Sequence, residues 1–555
     1  MKDTSFNVIT DEDVSRGVKI FSRYKSAKAP VEKRFVASEE WWQGRVSSGK
    51  KNGASWLFNA IANKHADAMD NMPSPVVLPR ERSDADAAKS LSQIIPVVLE
   101  RGDFEKVYSD VWYDKLKRGA GCYGVFWDNT ACRGRGDVKI ARVDLLNLFW
   151  QGGVEDIQRS ENLFYTSFAD ENEIKKLCPS FKSGGGGTSV FDGVKYFGEC
   201  SEDTEGKRVV VDWYYKKKNA LRDEVHLIKF CDGKLLYASE NDEACKNGIY
   251  DHGLYPFFID SLYSVPGSPC GFGLVDVLKN TQSDIDRLSA AIVKNAELSS
   301  AVRYFIRTDG SVNEEEFADF TKPFVHVQGS RLGEDSLRQI GVRALDPVVV
   351  RILANKIDEL KETAGNRDFT QGGVTGGITA ASAITALQEA GNKLSRDMIG
   401  RSFGVFKSVI QTVIELIRQF YTLPRTFRIL GASGSFDFVN FSSSPIARRN
   451  SEALGYSFGE FAPEFDVAVS AEKKSPFARV TQNELAKEFF AMGLFSPERR
   501  EEAAACFSMM DFEGKDELLS KLSEITSGGP SKYAAPTSPL TDAVERASYP
   551  VTFER

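Results

Sequence analysis

Several signatures of catalysis, metal binding and membrane insertion are missing from this chain. The eight cysteines (122, 132, 178, 200, 231, 245, 270 and 506) form no C-x-x-C pair and no zinc-like spacing with the four histidines. Reduced, mostly buried thiols are therefore expected, as in a cytoplasmic protein. No run reaches 18 consecutive apolar residues, and MKDTSFNVITDEDVSRGVKIF at the N-terminus lacks the apolar region of a signal peptide. There is no G-x-x-x-x-G-K-[ST], so no phosphate loop. Ser183 to Thr188 (SGGGGT) lacks a following Lys-Ser or Lys-Thr and reads as a flexible loop. A basic surplus is missing too: the net charge is −7, which excludes a simple basic nucleic-acid binder.

No catalytic constellation emerges either. LGASGS departs from G-x-S-x-G at Ser435 and reads as a hairpin turn, not a strand-to-helix elbow. A metal-dependent nuclease needs converging carboxylates and a lysine. The nearest candidate is Asp346 with Glu359-Leu360-Lys361, but on a helix Glu359 and Lys361 lie about 200° apart. The acidic run Asp11 to Asp13 suits a helix N-terminus or a solvated stretch. His65 has no second ligand at metal spacing and reads as a surface or core histidine. No enzyme activity, cofactor or metal is expected.

What is present is an ordinary globular composition, 42% hydrophobic and 27% charged over 555 residues, enough for three or four domains. The 38 Phe suit broad packed interfaces or simple core filling equally. Residues 1–50 are polar, with a short amphipathic piece from Asp13 to Ser26, and read as a peripheral arm or a solvated tail. SWLFNAIANKHADAMDNM (55–72) is helical by period and stops at Pro73-Ser74-Pro75. Asp84 to Arg101 and Phe104 to Gly119 give two more helices. VVVDWYYKKK and EVHLIKFCDGKLLYAS alternate around a turn at Asp232-Gly233 and read as a β-hairpin layer. Lys216 to Lys218 there is a solvated strand end. YPFFIDSLYSVPGSPCGFG is an apolar, proline-punctuated lead-in.

From Gly273 the pattern changes. Leu274, Leu278, Thr281, Ile285, Leu288 and Ile292 recur at steps of three and four, one stripe on a helix roughly 40 Å long. A strand-rich insert with a turn helix near Asn313 to Phe320 follows. Asp346-Pro347 then opens a second helix, with Val349, Ile352, Leu353, Ile357 and Leu360 on one face and Gly365 as its stop. NRDFTQGGVTGGIT (366–379) is a glycine- and threonine-rich loop. A third helical run to Tyr421 carries Leu387, Leu394, Phe403, Phe406, Ile410, Val413 and Ile417 inward, with a bend expected near Gly400 or Gly404. Two long helices joined by an insert at their tips form a stalk, whose remaining apolar surface needs further copies. After Tyr421, TFRILGASGSFDFVNFSS and EFDVAVSAEKKS read as strands. Helices with Leu485, Phe489, Phe490, Leu494, Phe507 and Leu518 as core complete the ordered chain.

This order of segments resembles the portal (head-to-tail connector) proteins of tailed bacteriophages, over roughly Ser55 to Ile525. The runs DFEKVYSDVWYDKLKRGAGCYGVFWD and VKIARVDLLNLFWQGGVEDIQRSENLFYTSF are similar to the wing of that family. The resemblance implies an α+β portal-type fold with wing, helical stem, clip and C-terminal helical crown, assembling as a ring. The corresponding divisions are an N-terminal arm (1–54), wing (55–270), stem helices (271–301 and 347–365) and clip (302–346). They continue with a tunnel loop (366–379), wing helix and β layer (380–470), crown (471–525) and disordered tail (526–555), the last rich in Ser, Gly, Pro and Thr.

By the same resemblance the protein would form a ring, commonly of twelve, at one capsid vertex in the virion, after assembly in the host cytoplasm. It would pass double-stranded DNA inward during packaging and outward at ejection. Its partners would be the large terminase subunit, capsid and scaffold proteins, and head-tail adaptors, with no membrane. An acidic wall fits such a conduit, because phosphate attraction would stall sliding, though acidity is common among cytoplasmic proteins. In the tunnel loop, Gly372, Gly373, Gly376 and Gly377 allow changes of shape, and Asn366, Arg367, Thr370 and Gln371 could touch phosphates without reading sequence. A plain interhelical linker is the alternative. Lys279, Asp286, Arg287, Lys294, Arg351, Lys356 and Asp358 are candidates for the lumen or for bridging subunits, and equally for ordinary solvent-facing charge. Arg303, Arg307, Lys322 and Arg331, with Glu314 to Glu316, suit a polar docking surface on the clip or any exposed subdomain. A metal-dependent nuclease, and a scaffold or adaptor that forms no ring, are the competing readings.

Overall fold

The computed structural model describes residues 8–44, 56–179, 181, 207–218, 223–245, 248–300, 303–306, 313–319, 321–326, 337–340, 345–365, 393–430, 436–453, 456–473, 487–493 and 500–508. The chain divides into two compact units, Met1–Glu472 and Lys473–Arg555. The fold is mixed helix and sheet, α+β, as the sequence implies.

The first unit opens with α1, Asp11–Trp42, a 32-residue helix whose first turn is closed by a capping box between Thr10 and Asp13. Within the 1–54 division, the described helix 11–42 is not a peripheral or solvated segment. Val14, Phe21, Tyr24 and Phe35 are buried in α1, so the helix is part of the core. The stripe is sparse because it also carries Lys28 and Glu39, whose charged ends are paired inside the protein. Pro30 lies within the helix on a solvent-facing position, where water can take up the carbonyl it leaves unpaired.

Under α1 lies a five-stranded antiparallel sheet in the order β4-β5-β6-β7-β8, from Leu148–Trp150, Asn162–Asp170, Lys207–Lys218, Asp223–Cys231 and Lys234–Ala238. Successive side chains on a strand point to opposite faces. Phe164, Trp213 and Ile228 stand opposite one another across three strands and face α1. Leu163, Tyr214 and Leu227 form the neighbouring row and pack the other way, with Tyr255 and Phe257. A Cβ at Gly17 of α1 would lie 2.6 Å from the Trp213 ring, so the helix can sit this low on the sheet only with glycine there. The β7–β8 turn falls at Asp232 and Gly233 (φ 50° and 76°), where the sequence puts it.

The larger core gathers α2 (Trp56–Asp70), α3 (Ala85–Arg101) and α4 (Phe104–Arg118) against a three-stranded sheet, β3-β2-β9 (Asp137–Arg142, Ala120–Asp128 and Phe257–Ser261). Between α2 and α3, Asn71–Pro79 is not a helix stop alone. It forms strand β1 and pairs with β18 (Phe465–Lys473), despite Pro73 and Pro75. A two-stranded sheet gives each strand one free edge, which tolerates proline. A four-residue turn, α5 (Ala131–Gly134), in which Cys132 and Arg133 are left-handed, and the short helix α6 (Glu171–Leu177) complete this region. The proline-punctuated lead-in is mostly strand: β9 is followed by the hairpin β10–β11 (Tyr263–Val265 and Ser268–Phe272).

From there the chain enters α7, Leu274–Ser300. The insert after it contains a hairpin, β12 (Arg303–Ile306) with β13 (Leu337–Ile340), and helix α8, Glu314–Ala318. Helix α9, Pro347–Thr363, packs back along α7. Asp346 caps α9 by accepting from the Val348 amide at 3.0 Å, and Gly365 ends it at φ +70°.

Helix α10, Lys393–Phe420, is unbroken through Gly400 and Gly404. Met398, Phe406, Val409, Ile410, Val413 and Ile417 are buried in the large core, while Leu394 and Phe403 are partly buried. Three hairpin-forming or paired segments follow: β14–β15 (Arg425–Leu430 and Phe436–Phe441), β16–β17 (Arg449–Ala453 and Tyr456–Phe461), then β18. The β16–β17 hairpin is absent from the sequence-based reading, because its serines and glycines mask the alternation.

In the second unit, α11 is Arg500–Ser508, and Phe507 stacks edge-on against Phe489 at 5.2 Å. Phe490, expected in the core, is 76% exposed, because neighbouring helix positions point about 100° apart. Leu387, Leu485, Leu494, Leu518 and the 526–555 tail lie outside the described residues. Among the described cysteines, none in a disulfide, Cys122, Cys231 and Cys270 are buried, three are half-buried and Cys132 is exposed, so the expectation of mostly buried thiols does not hold.

Candidate functional site

The α7/α9 pair is rooted deeply and protrudes shallowly. At the root, Gly119 ends α4 at φ +90°, and a Cβ on it would lie 2.4 Å from the Phe272 backbone. A Cβ on Gly273 would lie 2.6 Å from the Lys117 carbonyl oxygen. Backbone therefore packs on backbone where the strand hairpin hands over to α7. A buried charge network surrounds this joint. Glu39 pairs with Lys117 at 3.0 Å and Arg118 at 3.2 Å, and Arg118 also reaches Asp144 at 3.3 Å. Burial pushes the Glu39 carboxyl upward, but the two cations outweigh it and hold its pKa below the ordinary value. Arg34 of α1 donates to the Gly271 carbonyl at 2.6 Å. Gln282 of α7 accepts from the Leu57 amide at 3.1 Å, satisfying a donor at the start of α2.

Beyond the root the apolar stripe thins out. Leu274, Leu278 and Ile285 are buried, while Thr281, Leu288 and Ile292 are only half-buried. On α9 only Leu360 is buried, and Ile352, expected on the inward face, is exposed. Val293 of α7 and Val348 and Val350 of α9 are 56%, 55% and 53% exposed.

The charged candidates sit on this protruding pair. Lys279 pairs with Asp276 at 3.1 Å on its own helix. Asp286 accepts from Gln282 at 2.8 Å, and burial raises its pKa. Lys356 bridges the helices, 3.7 Å from Asp284 and 3.0 Å from Glu359. Arg287, Lys294, Arg351 and Asp358 are exposed. On the insert, Lys322 is 4.0 Å from Asp319, and Glu316 pairs with His326 at 2.9 Å. Arg303 begins β12, its side chain outside what is described. Arg307, Arg331, Asn366, Arg367, Thr370, Gln371, Gly372 and Gly373 also fall outside the described residues.

The nuclease candidates have structural work instead: Asp346 caps α9, Glu359 pairs with Lys356, and Lys361 lies over the Trp56 ring at 5.4 Å. His65 stacks on Tyr113 at 3.7 Å and contacts Ser109 through Nε2 at 3.0 Å. Among the described residues no group of three or more His, Cys, Asp or Glu could hold a metal ion, and no helix is long and apolar enough to cross a membrane.

Sequence reasoning missed a second set of polar residues, Lys64, Lys115, Asp260, Ser395 and Ser402, all buried, with the partly exposed Asp67 beside them. Their only sequence signal is serine at two positions of an otherwise apolar face of α10.

These features define a structural class of protein: an α+β body from which a long helix pair projects, carrying a small strand insert. The chain belongs to the phage P22-like portal protein family, whose description matches residues 32–547. The family is structural, not enzymatic. No curated protein matches the chain.

Proposed function

We propose that the protein is the portal subunit of a tailed phage, forming a closed ring, of twelve copies, at one capsid vertex. In this reading α7 and α9 are the stem, the insert between them is the clip, and α10 is the spine of the wing. The observation that carries it, beside family membership, is the contrast along the helix pair. Its root is buried in the body, yet Val293, Val348 and Val350 stand in solvent in a single copy. Isolated apolar residues on a surface are ordinary, but three on one projecting pair suit burial against neighbouring copies. Closed cyclic symmetry supplies such neighbours on both sides of every subunit.

DNA would pass through the ring. Arg287, Lys294 and Arg351 supply exposed charge on the stem, facing the lumen or the next subunit. Residues 366–379 serve as the tunnel loop, with Asn366, Arg367, Thr370 and Gln371 touching phosphates and Gly372 and Gly373 allowing them to adapt. Such contacts neutralise phosphate without reading sequence. Arg303, Arg307, Lys322 and Arg331 form a docking surface for the large terminase subunit and afterwards for head-tail adaptors. ATP hydrolysis belongs to the terminase. Capsid and scaffold proteins meet the wing, and assembly takes place in the host cytoplasm.

Deleting Gly372 to Gly377 tests the channel assignment. The expected result is normal ring assembly with reduced DNA packaging or retention. Loss of folding on that deletion would show that the segment is structural and not a tunnel loop.

A further inference from the structure

Helix α10 meets the body through two polar triangles of the same composition. In one, Lys64 of α2 donates to Ser395 Oγ at 2.9 Å, and Ser395 donates to Asp67 at 2.6 Å. In the other, Lys115 of α4 donates to Ser402 Oγ and to Asp260 of β9, the latter at 2.9 Å, while Ser402 donates to Asp260 at 2.6 Å. Both lysines are buried, as are both serines. Lys115 also lies 4.4 Å from the centre of the Trp112 ring. The serines are seven residues apart, about two turns or roughly 10.5 Å along the helix axis.

We propose that these triangles are a register lock: Lys64 and Lys115 are positioning residues that hold α10 at one axial position against the body. The apolar face of α10 cannot do this alone. Ile399, Phe406, Ile410, Val413 and Ile417 recur at steps of seven, four, three and four, so a slide of one turn puts one apolar residue where another was. The polar contacts remove that degeneracy. A slide of four residues one way would bring Ile399 to Lys64 and Phe406 to Lys115. The opposite slide would bring Met398 to Lys115. A slide of seven one way sets Val409 at Lys115; the opposite slide keeps a serine at Lys115 but replaces the serine at Lys64 with the longer Gln388. Both one-turn slides, and the slide that sets Val409 at Lys115, cost a buried lysine its serine acceptor, which is unfavourable in a low-dielectric interior. The observed register gives both lysines a serine acceptor that is itself bonded to a carboxylate. A single buried polar residue is known to fix register between helices in this way.

The lock also joins three elements. A Cβ at Gly365, at the end of α9, would lie 3.5 Å from Lys64 Nζ and 3.1 Å from Leu394 Cδ2. The end of the helix pair and the start of α10 are therefore held at one point on α2.

The test is hydrogen exchange by mass spectrometry on the full-length chain, comparing wild type with Ser395→Ala, Ser402→Ala, the double variant and Ser402→Thr. The alanine changes keep Asp67 and Asp260 in place and remove only the contacts that index α10. The expected result is exchange roughly tenfold faster in peptides from 393–410 of the double variant, as for loss of one or two buried hydrogen bonds. It should appear as two populations, with α3 and the β2–β3 pair unchanged, and Ser402→Thr should restore the wild-type pattern at its own triangle. Faster exchange spread evenly over the whole chain would mean that the serines add only general stability, and the lock would be refuted. Unchanged exchange in α10 of the double variant would refute it too. Should the double variant fail to fold, the single variants carry the same comparison, each confined to its own half of the 393–410 stretch.

Discussion

Lys115 and Lys356 are both lysines paired with aspartate, and their settings could hardly differ more. Lys115 is fully buried, 2.9 Å from Asp260, and burial lowers its pKa despite that partner. Lys356 sits on the projecting helix pair, shared between Asp284 and Glu359, all three side chains about a third or more exposed. At Lys115 the body satisfies a charge wholly in its interior. At Lys356 the helix pair holds its charges at the solvent boundary, and Val293, Val348 and Val350 nearby remain uncovered. A part that is complete by itself and a part that is not are what a subunit needs if its projecting portion is to be finished by copies of itself.

Substitution should widen that contrast. Lys115→Ala strands a buried Asp260 and is expected to cost roughly 3–5 kcal/mol, read as a lower urea midpoint. Lys356→Ala should leave the midpoint unchanged, since exposed ion pairs are screened. A similar loss from both would erase the distinction between the two regions.

A second comparison lies within α7 and α9. Leu278→Ala at the buried root should cost about 2–5 kcal/mol, through lost burial and the cavity left behind. Val350→Ser on the exposed stretch should hardly change stability of a single copy, but should weaken self-association measured by sedimentation. If Val350→Ser lowered monomer stability and left association intact, the exposed valines would not be interface residues.

The smallest expected effect is on pH. His252 accepts from the Leu254 amide at 3.0 Å, and burial, with Lys216 and Arg448 nearby, lowers its pKa to about 4. Burial lowers His65 and His226 as well. A histidine depressed in the folded state binds more protons when unfolded, so stability is full above the ordinary histidine pKa near 6.5 and declines as pH falls toward 4. Glu39, also depressed, acts lower: its contribution is present above the ordinary carboxylate range and is lost as pH falls through its folded value. Urea midpoints should therefore fall steadily from pH 7 to 4.5, and His252→Gln should flatten the upper part of that decline.

How much was legible in the sequence follows the range of the interactions. Helix α7, the Asp346-Pro347 start and Gly365 stop of α9, and the Asp232-Gly233 turn are written in adjacent residues, and each appears where local chemistry puts it. Helix α1 is hard to read as core because its buried polar residues find partners far along the chain: Lys28 bonds the carbonyls of Leu145 and Leu146, and Glu39 bonds Lys117 and Arg118. Without those partners a lysine on the inner face looks like solvated charge. The α10 triangles are invisible for the same reason, since Lys64 and Ser395 are 331 positions apart. Ionic residues on the helix pair were easy to single out, because they are local, but their local pairing says nothing of which face meets DNA or a neighbour.

The central claim is that the incomplete region is completed by copies of the same chain. The most direct measurement is native mass by light scattering on the purified full-length protein, with negative-stain images of the same peak. A ring of twelve 61.5 kDa chains predicts about 740 kDa and an annular particle with a central hole. A 61.5 kDa species that stays monomeric even with capsid and scaffold proteins present would contradict the account.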